Sequence, residues 1–292
     1  MENRPEVRDF LMSRRNKITP AQAGLPEFGN RRVSGLRRNE AALLAGVSVE
    51  YYTRLERGNL RGVSDAVLDS IATALRLDET ERGHLYDLAR AANASPVRTQ
   101  RRSQKSVVQP IVQRIVDAMP TVPAFVQNNR FDILYSNELG HALYAELFAD
   151  AGSRANTARF VFLSPGARHF YVDWERVARG AVGQLRVEAG RNPFDTDLSN
   201  LIGELSTRSD DFRVMWGAND VHIFREGEKG FRHSVVGELQ LEHAVMTVPG
   251  QADQMVTMYT AAPGSAAADA LTLLASWAAS ADIASGTHST KR

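Results

Sequence analysis

The segment from Ala41 to Gly58 constrains the fold of this chain more than any other part of its sequence. It reads AALLAGVSVEYYTRLERG, in which two short helical patterns are separated by Gly46. Glycine adopts positive φ angles at little cost, so Gly46 suits a tight turn between helices. Ser48 is placed to cap the second helix by accepting a backbone hydrogen bond. The segment predicts two helices, over 37–45 and 48–57, joined by a tight turn.

The second predicted helix has one face for the core and one for a partner. Tyr52 and Leu55 point inward at i, i+3 spacing. The outward face carries the following side chains: Val49, Glu50, Tyr51, Thr53 and Arg54. A helix-turn-helix presents this part of its second helix to the major groove of DNA. We therefore predict a helix-turn-helix that binds a double-stranded DNA operator.

The outward side chains have the chemistry to contact base edges. Arg54 suits O6 and N7 of guanine, Glu50 can accept from N4 of cytosine, and Val49 suits the methyl group of thymine. One alternative stays open, because Glu50 and Arg54 are spaced i, i+4 and would also pair on a solvated helix face.

Further polar residues around the two helices are candidate contacts to the DNA backbone. Arg37 and Arg38 lie at the start of the first helix, where a cation opposes the helix dipole and suits a phosphate. Asn59 and Arg61 follow the second helix. The complete predicted DNA-binding set is Arg37, Arg38, Ser48, Val49, Glu50, Tyr51, Arg54, Asn59 and Arg61.

The distribution of charge agrees with a polyanionic partner. The net charge of the whole chain is only +1, but residues 1–105 carry 19 Lys and Arg against 13 Asp and Glu. A basic segment of this kind suits nucleic acid, although a solvated charged surface would look the same.

Other features of the composition limit the location and chemistry of the protein. The chain has no cysteine, which excludes disulfides and thiol catalysis. The N-terminal sequence MENRPEVRDF lacks the apolar stretch of a signal peptide, and no apolar run is long enough to span a membrane. We expect a cytoplasmic, nucleoid-associated protein with no membrane partner.

Hydrophobic periodicity divides the chain into two domains. Helical patterns flank the helix-turn-helix and predict an all-α bundle over 1–92. The polar, cationic stretch 93–106 is typical of a linker. Residues 107–285 mix helices with short strands, which predicts an α+β domain around an antiparallel sheet. The predicted strands are 124–127, 131–136, 221–226, 231–241, 244–248 and 254–261, with 227–230 as a turn.

The second domain contains no recognisable catalytic motif. It has no G-x-S-x-G, Walker or H-E-x-x-H sequence, so we do not expect an enzyme. His222, His233 and His243 are too far apart in sequence for a short metal-ligand pair, and we expect no metal.

Large apolar side chains are frequent in the second domain and predict either a packed core or an elongated apolar pocket. The predicted pocket lining is Phe125, Tyr135, Phe162, Trp174, Phe212, Trp216 and Met246. Asn137 and His233 are the polar residues expected to orient a ligand.

The N-terminal segment RRVSGLRRNEAALLAGVSVEYYTRLERG belongs to a stretch, residues 31–90, that resembles the XRE-type helix-turn-helix domains. The resemblance implies that Val49, Glu50, Tyr51 and Arg54 occupy base-reading positions and that Arg38 contacts a phosphate. It also implies that Glu56 pairs with an arginine of the first helix, for which we expect Arg14.

Four C-terminal segments resemble the ligand-binding domain of MmyB-like transcription regulators: RFDILYSN, FYVDWERVARGAVGQLR, LIGELSTRSDDFRVMWGANDV and FRHSVVGELQLEHAVMTVPG. The resemblance implies a PAS-like fold and a bound fatty acid or similar lipid, with no other cofactor. It predicts a bacterial, homodimeric, ligand-responsive transcription regulator. In the alternative, the C-terminal domain serves only for dimerisation or partner docking.

Overall fold

The computed structural model describes residues 4–26, 33–93, 107–221 and 226–286. Most of the predicted linker, from residue 94 onward, lies outside the described residues, and so does His222.

The N-terminal part of the chain is helical, as predicted. The helices are α1 (Arg4–Lys17), α2 (Arg38–Leu44), α3 (Val49–Glu56), α4 (Asp65–Ala74) and α5 (Glu79–Asn93). Each buries one apolar stripe in a common core, which includes Phe10, Tyr52, Leu68, Ile71 and Leu88. Burial of these stripes, at about 25 cal/mol per Å² of apolar surface, is the main favourable contribution to the bundle.

The turn between α2 and α3 has the predicted geometry. Gly46 has a φ of 64°, which favours glycine over other residues. Ser48 is the N-cap of α3, and its hydroxyl accepts a hydrogen bond from the Tyr51 backbone N–H at 3.1 Å. Ala42 is fully buried where α2 meets the core. The prediction of a helix-turn-helix is therefore confirmed.

The remaining helices belong to the C-terminal half of the sequence. They are α6 (Pro110–Asp117), α7 (Glu138–Leu143), α8 (Ala145–Ala149), α9 (Thr157–Leu163), α10 (Ala167–Phe170), α11 (Trp174–Arg191), α12 (Thr196–Arg208), α13 (Asp210–Gly217) and α14 (Ala266–Gly286).

The described strands form one antiparallel sheet. They are β1 (Ala124–Asn128), β2 (Ile133–Ser136), β3 (Glu226–His233), β4 (Gly237–Val248) and β5 (Gln251–Thr260). The order across the sheet is β2-β1-β5-β4-β3. β3, β4 and β5 form a continuous meander, and β1 pairs with β5 from Ala124 opposite Met258 to Asn128 opposite Gln254. The predicted α+β domain with an antiparallel sheet is confirmed.

The predicted turn at 227–230 was wrong, because Gly227 and Gly230 both lie within β3. A Cβ on Gly230 would lie 2.7 Å from Cβ of Val172. Glycine inside a strand marks such a close approach as readily as a turn. The chain instead reverses between His233 and Gly237, which pair at the end of the β3–β4 ladder.

The chain forms two compact units that are not contiguous in sequence. The first unit combines the N-terminal helices with Val182–Gly203 and the stretch that begins at Arg213. The second unit contains the sheet and the helices around it. Val187 and Val221 accordingly belong to the same apolar core as α1 and α5.

Candidate functional site

Helix α3 presents a polar face outside the first core. Tyr52 and Leu55 are buried on its inner side. Val49 is 42% exposed, and Glu50 and Arg54 are also exposed. An exposed apolar side chain that lines the same pocket as two charged ones suits contact with the base edges of a groove.

Arg54 is held by an aromatic neighbour. Its guanidinium carbon lies 4.7 Å from the centre of the Tyr51 ring, in the geometry of a cation–π contact. Within the described part of the chain, no ion pair joins Arg54 to Glu50. The contact with the Tyr51 ring therefore orients the side chain of Arg54.

A surface pocket of about 480 Å³ lies along α3. It brings together four residues of the predicted DNA-binding set, namely Val49, Glu50, Arg54 and Asn59. Three other side chains complete the lining: Arg4, Thr53 and Arg57. The sequence could have identified Thr53 and Arg57, because they lie on or directly after the outward face of the helix. Arg4 had none, because only the tertiary fold brings α1 to this place.

The other predicted DNA-binding residues surround α2 and the ends of α3 without lining this pocket. Arg37 is exposed at the N-cap of α2, and its backbone N–H donates to the Glu40 carboxylate at 2.6 Å. Ser48 is occupied as the cap of α3, Tyr51 is half-buried, and Arg61 is exposed.

Glu56 is a buried structural residue with two arginine partners. Nε of Arg15 donates to it at 2.7 Å, and Nε of Arg38 at 2.8 Å. The expectation that Arg14 is the partner on α1 was wrong, because the adjacent residue Arg15 makes this contact. Since Arg38 is about half-exposed, it is anchored at one side of its guanidinium and remains accessible at the other.

Burial, and then the charge of Glu56, raise the pKa of Tyr52 above its ordinary value, so this hydroxyl stays neutral.

In the second unit, three predicted pocket residues form one aromatic cluster. The Phe162 ring lies 5.0 Å from the Phe212 ring and 6.1 Å from the Trp174 ring. All three are buried, and the Trp174 indole N–H donates to the Val161 carbonyl at 2.9 Å. The rings meet edge to face, which is a favoured aromatic geometry.

Phe125 belongs to a different aromatic group on the sheet. Its ring lies 5.3 Å from Tyr144, whose hydroxyl is 2.6 Å from that of Tyr259. Tyr135 packs on the opposite sheet face, against the core under α6, and its hydroxyl donates to Asp117 at 2.8 Å. The predicted lining residues are therefore divided between separate places.

Asn137 does not have the free amide expected of a ligand-orienting residue. Its Oδ1 accepts from the backbone N–H groups of Ala124 and Gly140. Its Nδ2 donates to the carbonyls of Val116, Met119 and Val122. The Asn137 side chain therefore joins the start of α7 to the loop after α6, and these backbone hydrogen bonds occupy both its oxygen and its nitrogen.

Three further predicted ligand residues have other surroundings. Nε2 of His233 lies 2.9 Å from the Ala142 carbonyl, and its Nδ1 accepts from a backbone N–H. Met246 is 59% exposed, which does not fit an enclosed pocket. Trp216 lies in the first unit, where the guanidinium of Arg186 stacks on it at 4.2 Å.

In the described ranges, no group of three or more His, Asp or Glu residues has the geometry of a metal site. His243 bonds the Gly227 carbonyl through Nδ1 at 2.6 Å. No helix among the described residues combines the length and apolarity needed to cross a bilayer.

The fold and the exposed face of α3 define a DNA-binding protein of the helix-turn-helix class. A helix-turn-helix domain family matches residues 27–85. The family described as the MmyB-like transcription regulator ligand binding domain matches residues 108–274, more than half of the chain. The chain belongs to the MmyB-like transcription regulators, so it combines DNA binding with a ligand-binding domain, and both matched families are those of a regulator. No curated protein matches it significantly.

Proposed function

We propose that the protein is a bacterial regulator that reads an operator through α3 and senses a small apolar ligand through its C-terminal domain. The observation that carries the first half is the exposed row of Val49, Glu50 and Arg54 along one pocket, on a helix whose other face is buried. A protein that acts on chromosomal DNA works in the cytoplasm at the nucleoid.

The proposed DNA-contacting residues form two groups, one that contacts bases and one that contacts phosphates. Val49, Glu50, Tyr51 and Arg54 read bases, and Arg37, Arg38, Ser48, Asn59 and Arg61 contact the backbone. Base contacts determine sequence preference, whereas phosphate contacts add affinity for any duplex. The two groups therefore have distinguishable effects when they are removed.

Replacement of Arg54 by Ala should relax preference at one base-pair position by about 1–3 kcal/mol, because a bidentate contact to guanine is lost. Replacement of Arg38 by Ala should instead weaken binding to every duplex and lower the salt slope by about one unit. Competition binding with duplexes that differ at single positions measures the first effect, and binding to one duplex at several NaCl concentrations measures the second. An Arg54→Ala protein with every base preference intact would show that the register of α3 in the groove is different.

Two copies of the chain are proposed to bind a palindromic operator. One helix-turn-helix contacts only a few base pairs, and a dimer on two half-sites supplies the affinity and specificity that a regulator needs. The half-sites should then be separated by about one helical turn or a multiple of it.

The proposed ligand is a fatty acid or a similar lipid. The family of the second domain and its cluster of Phe162, Trp174 and Phe212 support an apolar occupant. Phe125 remains a candidate contact from the sheet. A response on DNA would require the ligand to differ in affinity for two states by about 1–3 kcal/mol.

Native mass spectrometry of the purified chain, followed by organic extraction, tests the ligand. The expected result is a dimer with an added mass that extracts as a lipid. When the extracted compound is added back to the ligand-free protein, it should change the fluorescence of Trp174. A dimer that carries no mass and gives no fluorescence change with long-chain fatty acids would favour the second candidate, a domain for dimerisation or partner docking alone.

A further inference from the structure

Three polar side chains meet among the aromatic rings of the sheet. The hydroxyl oxygens of Tyr144 and Tyr259 are 2.6 Å apart, and the ammonium of Lys229 donates to the Tyr259 hydroxyl at 3.2 Å. Tyr259 lies on β5 and Lys229 on β3, so the lysine side chain reaches across β4. Both tyrosines are buried and Lys229 is half-buried. This arrangement places an ammonium group beside two buried hydroxyls.

The surroundings of these three side chains are apolar. The Tyr144 ring lies 5.3 Å from the Phe125 ring and 5.8 Å from the Phe231 ring. Charges and hydrogen bonds interact more strongly in such surroundings than in water, and a charge without a counterion is costly there. Among the described residues, no carboxylate pairs with Lys229. An anionic partner would therefore be stabilised beside its ammonium group.

The three side chains also have more donor hydrogens than acceptor oxygens. A lysine ammonium only donates, whereas a phenol hydroxyl both donates and accepts. Burial, and then the neighbouring Tyr171, raise the pKa of Tyr144 well above its ordinary value, so its hydroxyl keeps its proton. A carboxylate has two oxygens that only accept, which complements this excess of donors.

Thr257 is an independent sign that a polar ligand group fits on this face of the sheet. It is 4% exposed, and its hydroxyl has no hydrogen-bond partner among the described residues. Thr257 pairs with Phe125 across β1 and β5, and Tyr259 follows two residues later, so all three side chains lie on the same face. Buried hydroxyls normally have a partner, so the Thr257 hydroxyl is available to a ligand oxygen.

We propose that Lys229, Tyr144 and Tyr259 bind the carboxylate of the ligand, with Thr257 as a further donor. The inference rests on the proposed lipid ligand and names the group that recognises its charged end. Hydrogen bonds to an ionised carboxylate are about twice as strong as those between neutral groups. The protein should therefore prefer a fatty acid to an uncharged lipid with the same chain.

The test compares palmitic acid with methyl palmitate, which has the same chain without the anionic group. Binding to the delipidated full-length protein is measured by tryptophan fluorescence at pH 8, where a carboxylic acid is ionised. Lys229→Met removes the ammonium group and keeps an unbranched side chain. Arg232→Met is the matched control, because Arg232 follows Phe231 on β3 and therefore points to the opposite face. Wild type and Arg232→Met should prefer the acid about tenfold, and Lys229→Met should bind both compounds about equally.

Two more variants make the outcome specific. Tyr259→Phe keeps the ring and removes the hydroxyl, so it should lower the preference for the acid, whereas Lys229→Arg should retain it. A wild type that binds the acid and the ester equally would overturn the carboxylate site, and so would a Lys229→Met protein with the wild-type preference. Either result leaves the proposed apolar ligand in place, because the ester still binds. A wild type that binds neither compound would contradict the proposed lipid ligand itself.

Discussion

At the scale of single residues, two adjacent buried arginines of α1 have different carboxylate partners, Glu81 for Arg14 and Glu56 for Arg15. The outward row of α3 and the cap at Ser48 followed from periodicity and were found. The partner of Glu56 was missed by one residue, since Arg14 and Arg15 are adjacent and both buried. Arg14 instead bonds Glu81 and the carbonyl of Asn219. Adjacent helical residues point about 100° apart. The position of α5 therefore decides which of the two arginines faces Glu81 and which faces Glu56.

His84 on α5 is a buried histidine that sequence reasoning did not identify. Its ring lies edge-on to Phe10 at 4.9 Å, and neither ring nitrogen has a hydrogen-bond partner among the described residues. Burial, and then the charges of Arg186, Arg14 and Arg191, lower the pKa of His84 to about 3. The side chain is therefore neutral in the folded protein well below neutral pH.

His84 should make the protein less stable as pH falls. The unfolded chain takes up this proton near pH 6.5 and the folded chain only near pH 3, so stability is lost between these values. His84→Phe should remove this loss, about 1.4 kcal/mol per pH unit below pH 6. Urea unfolding of both proteins from pH 7 to 4 measures the difference, and His169→Gln at an exposed position is the control. Parallel pH curves for wild type and His84→Phe would contradict the assigned environment.

At the scale of elements, helices were predicted more accurately than strands. Long amphipathic patterns such as those of α4 and α5 have a period that local residues determine. The error in β3 arose because Gly227 and Gly230 resemble turn residues in sequence. The need for Gly230 comes from Val172, which is distant along the chain, so no local pattern could have revealed it.

Two glycines inside helices should respond oppositely to alanine. In α11, a Cβ on Gly190 would lie 2.7 Å from Cε1 of His84, so Gly190→Ala should destabilise the protein by about 1–3 kcal/mol. In α12, a Cβ on Gly203 meets no atom within 4 Å, and Gly203→Ala should stabilise it by about 0.5–1 kcal/mol. Thermal unfolding compares them. Equal melting temperatures would show that α11 and α5 are not packed as closely as described.

At the scale of the whole molecule, the sequence indicated the helical and sheet-containing parts but not the grouping of the middle helices. Hydrophobic periodicity tells which residues of α11 are buried, not which element covers them. The later half of α11 belongs to the first unit, where buried Arg186 bonds Glu6 and Asn219 at 2.6 Å each. The predicted lining of the ligand pocket has the same limitation, because aromatic content predicts that a ring is buried but not which other rings it contacts.

The proposed function requires that the exposed face of α3 reads a DNA sequence. Selection from a library of randomised duplexes by the full-length protein, followed by sequencing of the retained molecules, tests it most directly. We expect enrichment of one short motif in two inverted copies about one helical turn apart, and loss of a defined base preference in Arg54→Ala. Retention of duplexes without any shared motif, or an identical motif for Arg54→Ala and wild type, would contradict it.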